Sequence, residues 1–375
     1  MAETASPSVL AIHPVLEGMA LNPQAGGKDL GAGECTDVLL EMGCQVSVWP
    51  LAWGGLAASE KILSRHHEIL WGKHGRIRLV PTCAAGNPLR GPQDLVDDVL
   101  REHRPRLLHV HQTQNPLVRQ VKEKSPQTRR LLSNHSGVIS SHIDEYDWIV
   151  VPSRWMRDQI VAQRPDLAPR VQTIPYFLQP EYAVDAPEEP PRSGIIFIGL
   201  LNDARKGLDT LLDAMALLKS RGEIYPLTVI GEGAALPRFQ EQARRLALDV
   251  KFPGRLERGQ NADRMRRSNL FCMPSREENF PIVYIESLSC GTPIIGHASA
   301  VGELSRILEC EIGCPYDGER ANVPELADMI ALWMRGKCEK YAQHREAVKQ
   351  RVRAVFAVDA YRAAYRDLYQ RLLAA

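Results

Sequence analysis

Asp185-Ala-Pro-Glu-Glu-Pro-Pro-Arg-Ser-Gly194, running directly into Ile195-Ile-Phe-Ile-Gly199, decides the fold. Three prolines, two glutamates and no apolar face make residues 186–194 a linker near the midpoint of the chain. Upstream, short apolar runs rich in β-branched residues stand at 9–13 (VLAIH), 45–49 (QVSVW), 76–80 (RIRLV), 106–111 (RLLHVH), 148–151 (WIVV) and 171–174 (VQTI). Stretches of helical period separate them, as in Pro92–His103, where Leu95, Val96, Val99 and Leu100 share one face. Downstream the rhythm restarts, with strands expected at 194–199, 226–231, 250–252, 270–274 and 292–297 and helices from about 206 to 219 and near 236 to 247. Strands alternating with helices specify a parallel sheet covered on both faces. Two similar-sized Rossmann-like α/β domains are therefore expected, residues 1–185 and 195–350. Val348, Val352, Val355, Phe356, Tyr361, Tyr365, Leu368 and Leu372 follow at roughly helical spacing, which reads as a long terminal helix pair, and residues 351–375 are expected to be a C-terminal helix packing back on the first domain. Open sheets of this kind bind ligands at the carboxyl ends of their strands, so two facing sheets predict an interdomain cleft.

Composition narrows the function. The 375 residues carry 46 Lys+Arg against 45 Asp+Glu, with 24% charged and 44% hydrophobic residues, an ordinary globular balance. A net charge of +1 excludes a protein that coats a polyanion, and no nucleic-acid partner is expected. Cysteines 35, 44, 83, 272, 290, 310, 314 and 338 are scattered without CxxC pairs, which predicts reduced thiols and a cytoplasmic setting. The first twenty residues lack a basic start and a long apolar core, and no window offers about 18 uninterrupted apolar residues, so neither a secretion signal nor membrane association is expected. Gly31-Ala-Gly33 lacks the third glycine of a dinucleotide fingerprint, and a P-loop is absent, leaving NAD and ATP chemistry without support. Cys310 and Cys314 with His297 have poor metal-ligand spacing, an Asp-x-Asp pair is missing, and neither a cofactor nor a metal is expected.

The stretch Pro274-Ser-Arg-Glu-Glu-Asn-Phe-Pro-Ile-Val-Tyr-Ile-Glu-Ser-Leu-Ser-Cys-Gly-Thr-Pro-Ile-Ile-Gly296 carries the chemistry. Glu278 precedes an apolar helix and Glu286 lies inside it. Eight helical steps would separate them by roughly 12 Å, beyond the roughly 5 to 9.5 Å between the carboxyl groups of a hydrolytic pair. Each glutamate more naturally accepts hydrogen bonds from hydroxyls on a different part of one extended ligand. Gly26 and Gly27 lack a Cβ, which lets backbone N–H groups approach a phosphate at the head of the following helix. Arg205 and Lys206 fall between a strand and a helix, where fixed positive charge would meet a diphosphate.

In this order these segments resemble glycosyltransferase family 4, retaining enzymes of the GT-B fold, whose E-x7-E signature is similar to Glu278 through Glu286. Gln24-Ala-Gly-Gly27 is similar to the family's glycine pair, Gly199–Gly207 to its lysine-glycine segment, Leu227–Gly233 to its strand and glycine turn, and Val250–Arg255 to its base-side loop. The resemblance is close across the second domain. In the first it rests on the glycine pair, HVH at 109–111, VPSRWMRDQI at 151–160 and VQTIPYF at 171–177. Position 200, arginine in the family, is leucine here, and Arg205 is expected to supply the cation.

The resemblance implies a retaining, metal-independent transfer of a sugar from a nucleoside-diphosphate sugar to an acceptor hydroxyl by same-face substitution. It implies that Glu278 holds sugar hydroxyls, with Asn279, Phe280, Pro281 and Ile282 bordering the donor, and that Glu286 binds the ribose. Arg205, Lys206 and the Gly26–Gly27 backbone would hold the diphosphate, Gly254 and Arg255 would meet the base, and His111 would contact the donor sugar. His109, His13 and Asn134-His-Ser-Gly137 are weaker candidates. Two alternatives stay open: a nucleotide-sugar epimerase on the same fold, and a non-catalytic sugar-nucleotide-binding protein. The basic stretch Arg119, Lys122, Lys124, Arg129 and Arg130 lacks an apolar face and is read as a solvated surface or an acceptor-phosphate site.

Overall fold

A computed structural model describes residues 6–13, 27–50, 67–71, 75–80, 92–112, 117–135, 139, 141–185, 190–318 and 321–374. The chain divides into two compact units, one made of Met1–Tyr176 with Asp359–Ala375, the other of Phe177–Val358.

The first unit is built on an eight-stranded sheet. Its strands are β1 (Ser8–His13), β2 (Gln45–Pro50), β3 (His67–Trp71), β4 (Gly75–Leu79), β5 (Leu107–Gln112), β6 (Arg129–Asn134), β7 (Trp148–Val151) and β8 (Val171–Thr173). They lie in the order β3-β4-β2-β1-β5-β6-β7-β8. All neighbours pair in parallel except β3 and β4. The His67–Trp71 run thus adds an antiparallel edge that the strand-helix rhythm does not predict, since only β4 beside it was legible as an apolar run. Leu10, Ile12, Leu108, Val110, Leu132, Ile149 and Val151 pack with Val96, Val99, Val118 and Val121 from the covering helices Pro92–His103 and Leu117–Lys124. Each fully buried aliphatic side chain of this set contributes about 1.5–3 kcal/mol.

The second unit has six strands, all parallel: β9 (Ile195–Ile198), β10 (Leu227–Ile230), β11 (Val250–Gly254), β12 (Leu270–Met273), β13 (Ile294–His297) and β14 (Gly313–Tyr316). Their order is β11-β10-β9-β12-β13-β14. β12 is buried at every position, the continuous apolar run that a strand covered on both faces requires. The helix Leu208–Ser220 buries Leu208, Leu211, Leu212, Met215 and Leu218 on one side, as its period predicts.

Three boundaries differ from expectation. The first unit ends at Tyr176 rather than at 185, because the following residues are fastened to the second unit. Asp185 accepts a two-pronged hydrogen bond from Arg353 (2.9 and 2.8 Å) and pairs with Lys349 at 2.6 Å. The expected linker is likewise tied down over its described part: Arg192 donates to Thr292 Oγ1 (2.8 Å), the Cys290 carbonyl (2.9 Å) and the Ser268 carbonyl (3.2 Å). The expected pair of terminal helices is present, but the part that joins the first unit begins later than residue 351. Arg345–Val355 stays with the second unit, and only Val358–Ala374 joins the first.

That last helix is attached by a ladder of tyrosines one helical turn apart. Tyr361 donates to the Gly31 carbonyl at 3.1 Å, the Tyr365 hydroxyl shares a hydrogen bond with Ser133 Oγ at 2.7 Å, and the Tyr369 hydroxyl with His109 Nδ1 at 2.9 Å. Arg362 pairs with Glu34 at 2.8 Å and with Glu41, and Arg366 also meets Glu41.

Candidate functional site

Each sheet contains a point where successive crossovers leave in opposite directions, and such points open a crevice at the carboxyl ends of the strands. In the second unit that point lies between β9 and β12. The loop after β9 carries Arg205 and Lys206, and the loop after β12 carries Glu278.

The structure brings Lys206 and Glu278 together, with Lys206 Nζ donating to Glu278 Oε1. Ser275 Oγ donates to the same oxygen at 2.9 Å, and both Ser275 and Glu278 are buried. The two loops are clamped beneath this pair. Arg276 donates its backbone N–H to the Arg205 carbonyl at 2.8 Å, its guanidinium grips both carboxylate oxygens of Asp209 (3.0 and 2.8 Å), and it also reaches the Ala204 carbonyl. A planar guanidinium bound at two points fixes orientation as well as distance. Gly207 completes the junction with φ at 75°, and a Cβ there would lie 2.0 Å from the Pro274 carbonyl oxygen. Only glycine meets both conditions.

The neighbouring loops are stitched to the first. Leu201 donates its N–H to the Glu232 carbonyl (2.9 Å), Ala235 to the Leu201 carbonyl (2.8 Å), and Gly231 to the Gly254 carbonyl (3.0 Å). Gly254 closes β11, and the exposed Arg255 beside it pairs with Glu232 at 3.0 Å. Arg205 is exposed, and Leu200, the position where the resemblance expects an arginine, is 52% exposed.

Glu286 sits in the middle of the helix Ile282–Ser289, in register with the sequence expectation that Glu278 precedes this helix and Glu286 lies within it. It is half-buried, and burial pushes its carboxyl up to about 7; the Arg258 charge and a hydrogen bond with Tyr182 pull in the opposite direction, and Glu181 adds to the rise. Asn279 and Ile282 are half-buried, and Pro281 caps the helix. The ring of Phe280 is buried 6.1 Å from that of Phe356, so this residue can offer a ligand only its main chain. Sequence reading missed Ser275, the Arg276–Asp209 clamp and the Tyr182–Arg258 surroundings of Glu286. Only Ser275 and Arg276 lay within the quoted motif; the others come from distant segments.

In the first unit the corresponding point lies between β1 and β5. His111 is the penultimate residue of β5 and is buried. Gly27 is the first residue of the helix Gly27–Glu41, and Gly26 lies outside the described residues. His13 closes β1; its side chain, like Ser136 and Gly137, lies outside the described residues. Asn134 is fully buried, and His135 Nδ1 meets the Tyr176 hydroxyl at 2.6 Å.

Cys310, Cys314 and His297 do not gather into a metal site; among the described residues the cluster with metal-ligating atoms is Cys35, His109 and His111, all within 4.8 Å. Its chemistry is that of a buried polar network. Both His109 nitrogens are engaged, with Tyr369 at 2.9 Å and Ser133 at 2.8 Å, and burial pushes the Cys35 thiol up to about 12. The network joins the sheet to the terminal helix.

The basic stretch of the first unit is dispersed. Arg119 and Lys122 both pair with Glu145 (3.2 and 3.0 Å), Lys124 with Asp97 (2.6 Å) and the buried Arg130 with Asp147 (2.6 Å). Among the described residues no helix is long and apolar enough to cross a membrane.

Residues 183–351, which make up most of the second unit, match the family described as glycosyl transferases group 1. Over 144 residues the chain is 33% identical to phosphatidyl-myo-inositol mannosyltransferase of Mycobacterium tuberculosis (strain CDC 1551 / Oshkosh), covering 37% of each protein. Over 120 residues it is 37% identical to D-inositol 3-phosphate glycosyltransferase of Jonesia denitrificans, covering 30% of this chain and 28% of that one. The chain thus spans 37% and 28% of the length of these two curated relatives. Among solved structures, the sucrose-phosphate synthase from Thermosynechococcus elongatus superposes with a TM-score of 0.74 at 19% identity, covering 98% of this chain and 99% of the other. HepE of Anabaena, in complex with UDP and glucose, gives 0.68 at 17% identity over 97% of this chain and 99% of its own. The fold is that of the GT-B glycosyltransferases.

Proposed function

We propose that this chain, whose residues 183–351 match the glycosyl transferases group 1 family, moves a sugar from a nucleoside-diphosphate sugar to an acceptor hydroxyl with retention of anomeric configuration and without a metal. The observation that carries the reading is the Lys206–Glu278 pair at the crevice between β9 and β12, eight residues ahead of Glu286. A cation and two carboxylates so spaced suit three parts of one ligand. Lys206 meets the diphosphate, Glu278 accepts hydrogen bonds from sugar hydroxyls, and Glu286 accepts them from the ribose. Gly254 and Arg255 form the floor for the base.

In the transfer itself, charge develops on the departing phosphate. Lys206 and the exposed Arg205 stabilise it, which supplies by side chain what a divalent cation supplies elsewhere. The departing oxygen accepts the proton of the incoming hydroxyl on the same face of the sugar, so neither a covalent intermediate nor a separate base is required. The relatives named above are a mannosyltransferase and an inositol-phosphate glycosyltransferase. That favours transfer over the epimerase and non-catalytic alternatives.

The test is turnover of the purified chain with GDP- and UDP-linked sugars, with and without EDTA. Lys206→Ala should lower kcat by about 10²–10³, the range seen when a donor to a developing oxyanion is removed, with a smaller change in donor KM. Unchanged kcat in Lys206→Ala removes the assignment of the phosphate site, and loss of turnover in EDTA removes the metal-independent mechanism.

A further inference from the structure

At the end of the first sheet opposite to His111 lies an open recess of about 920 Å³. Arg106 precedes β5, and Arg129 opens β6, so the recess faces the amino ends of these strands. At about 3.3 Å per residue, His111 stands roughly 16 Å beyond Arg106 along the strand. The recess therefore does not belong to the crevice at the carboxyl ends.

Arg101, Arg104, Arg106, Lys124 and Arg129 line it together with one carboxylate, Asp97. Lys124 is paired with Asp97, and Arg101 with Asp98 at 3.0 Å. Among the described residues no carboxylate pairs with Arg104, Arg106 or Arg129, and Arg106 donates instead to the Leu373 carbonyl. Three helices, Pro92–His103, Leu117–Lys124 and Val358–Ala374, end at this rim, and cations there answer the helix dipoles. Each terminus contributes about half a negative charge, which still leaves the recess positive by about one and a half charges. A second feature is independent of the charge sum. Arg104 holds φ at +39°, the left-handed position after a helix where glycine is favoured, so a long cationic side chain occupies a strained position.

We propose that this recess binds a phosphate-bearing anion, a diphosphate or a phosphomonoester, at a site separate from that of the sugar donor. Guanidinium groups recognise phosphate oxygens in pairs, and the volume is that of a small-molecule site. Arg104 and Arg129 are the principal ligands. Arg106 keeps the terminal helix in place beside them.

The experiment is calorimetric titration of inorganic pyrophosphate into the full chain, the Lys206→Ala variant and the Arg104→Gly/Arg129→Ala double variant made in the Lys206→Ala background, so that the donor site does not contribute. Binding should persist in Lys206→Ala and weaken at least about tenfold in the double variant. Arg104→Gly relieves backbone strain, so the double variant should melt no lower than the parent, separating loss of a ligand from loss of fold. In the unaltered chain, pyrophosphate should protect Arg104 and Arg129 from phenylglyoxal, read by mass spectrometry. Equal affinity in the double variant, loss of binding in Lys206→Ala, or unprotected arginines would overturn the proposal. So would uptake onto phosphatidylglycerol vesicles without pyrophosphate binding, which would make this face a lipid-headgroup surface.

Discussion

Replacing Glu278 by glutamine should separate nucleotide binding from sugar transfer. Lys206 is paired with Glu278, with side-chain exposures of 18% and 7%. A diphosphate approaching Lys206 must share it with that carboxylate or displace it. A charge-assisted hydrogen bond at such a position is worth about 1.5–3 kcal/mol, and desolvation of both ions offsets part of it. Glutamine retains an acceptor for Ser275 Oγ, now 2.9 Å from Oε1, while removing the competing charge. About 1–2 kcal/mol should return to phosphate binding, tightening the bare nucleoside diphosphate by roughly 5- to 30-fold. Transfer from the sugar-bearing donor should fall over the same substitution, because a neutral amide accepts weaker hydrogen bonds from sugar hydroxyls. Calorimetry with UDP and GDP, run beside turnover, reads both effects. Should Glu278→Gln weaken the bare diphosphate as much as the complete donor, Glu278 would be positioning Lys206 rather than competing for it.

Three further outcomes follow from the geometry. Glu286 is protonated more readily when folded, its carboxyl lying at about 7 against an unfolded value near 4.5, so it costs stability as pH rises through this window; Glu286→Gln should raise Tm at pH 8 by about 2–6 °C, after allowance for partial exposure, with the gain gone at pH 4. Gly207→Ala would place a Cβ 2.0 Å from the Pro274 carbonyl oxygen at a φ of 75°, and denaturant unfolding should show a loss of more than about 2 kcal/mol; unaltered stability would contradict the junction described. His111→Ala should depress turnover while leaving calorimetric affinity for the free nucleoside diphosphate unchanged, and a parallel loss of both would assign His111 to nucleotide binding instead.

The repeating pattern of the sheets was legible because parallel strands buried on both faces must be apolar throughout, as Leu270–Met273 is. The glutamates were legible because both lie in one continuous segment. What escaped the sequence depends on long-range pairing. That Lys206 and Glu278 meet is visible only once the order of β9 and β12 makes their loops neighbours. Asp185 and Arg192 read as linker residues because nothing local reveals Arg353, Thr292 or Cys290 waiting for them. The basic run from Arg119 to Arg130 looks like one patch, yet three of its members pair with Glu145 and Asp147. Of the recess arginines that pair with no described carboxylate, Arg104 and Arg106 lie outside that run and Arg129 within it.

Because the second unit, Phe177–Val358, interrupts the first, a ribosome completes the inserted unit before it makes the helix bearing Tyr361, Tyr365 and Tyr369. At about 5–20 residues per second, that interval lasts roughly ten to forty seconds. Throughout it the nascent sheet holds Cys35, His109 and Ser133 without their hydroxyl partners, an opening for chaperones or for oxidation of the thiol. Maturation of the amino-terminal half is therefore timed by the carboxyl-terminal end of the polypeptide.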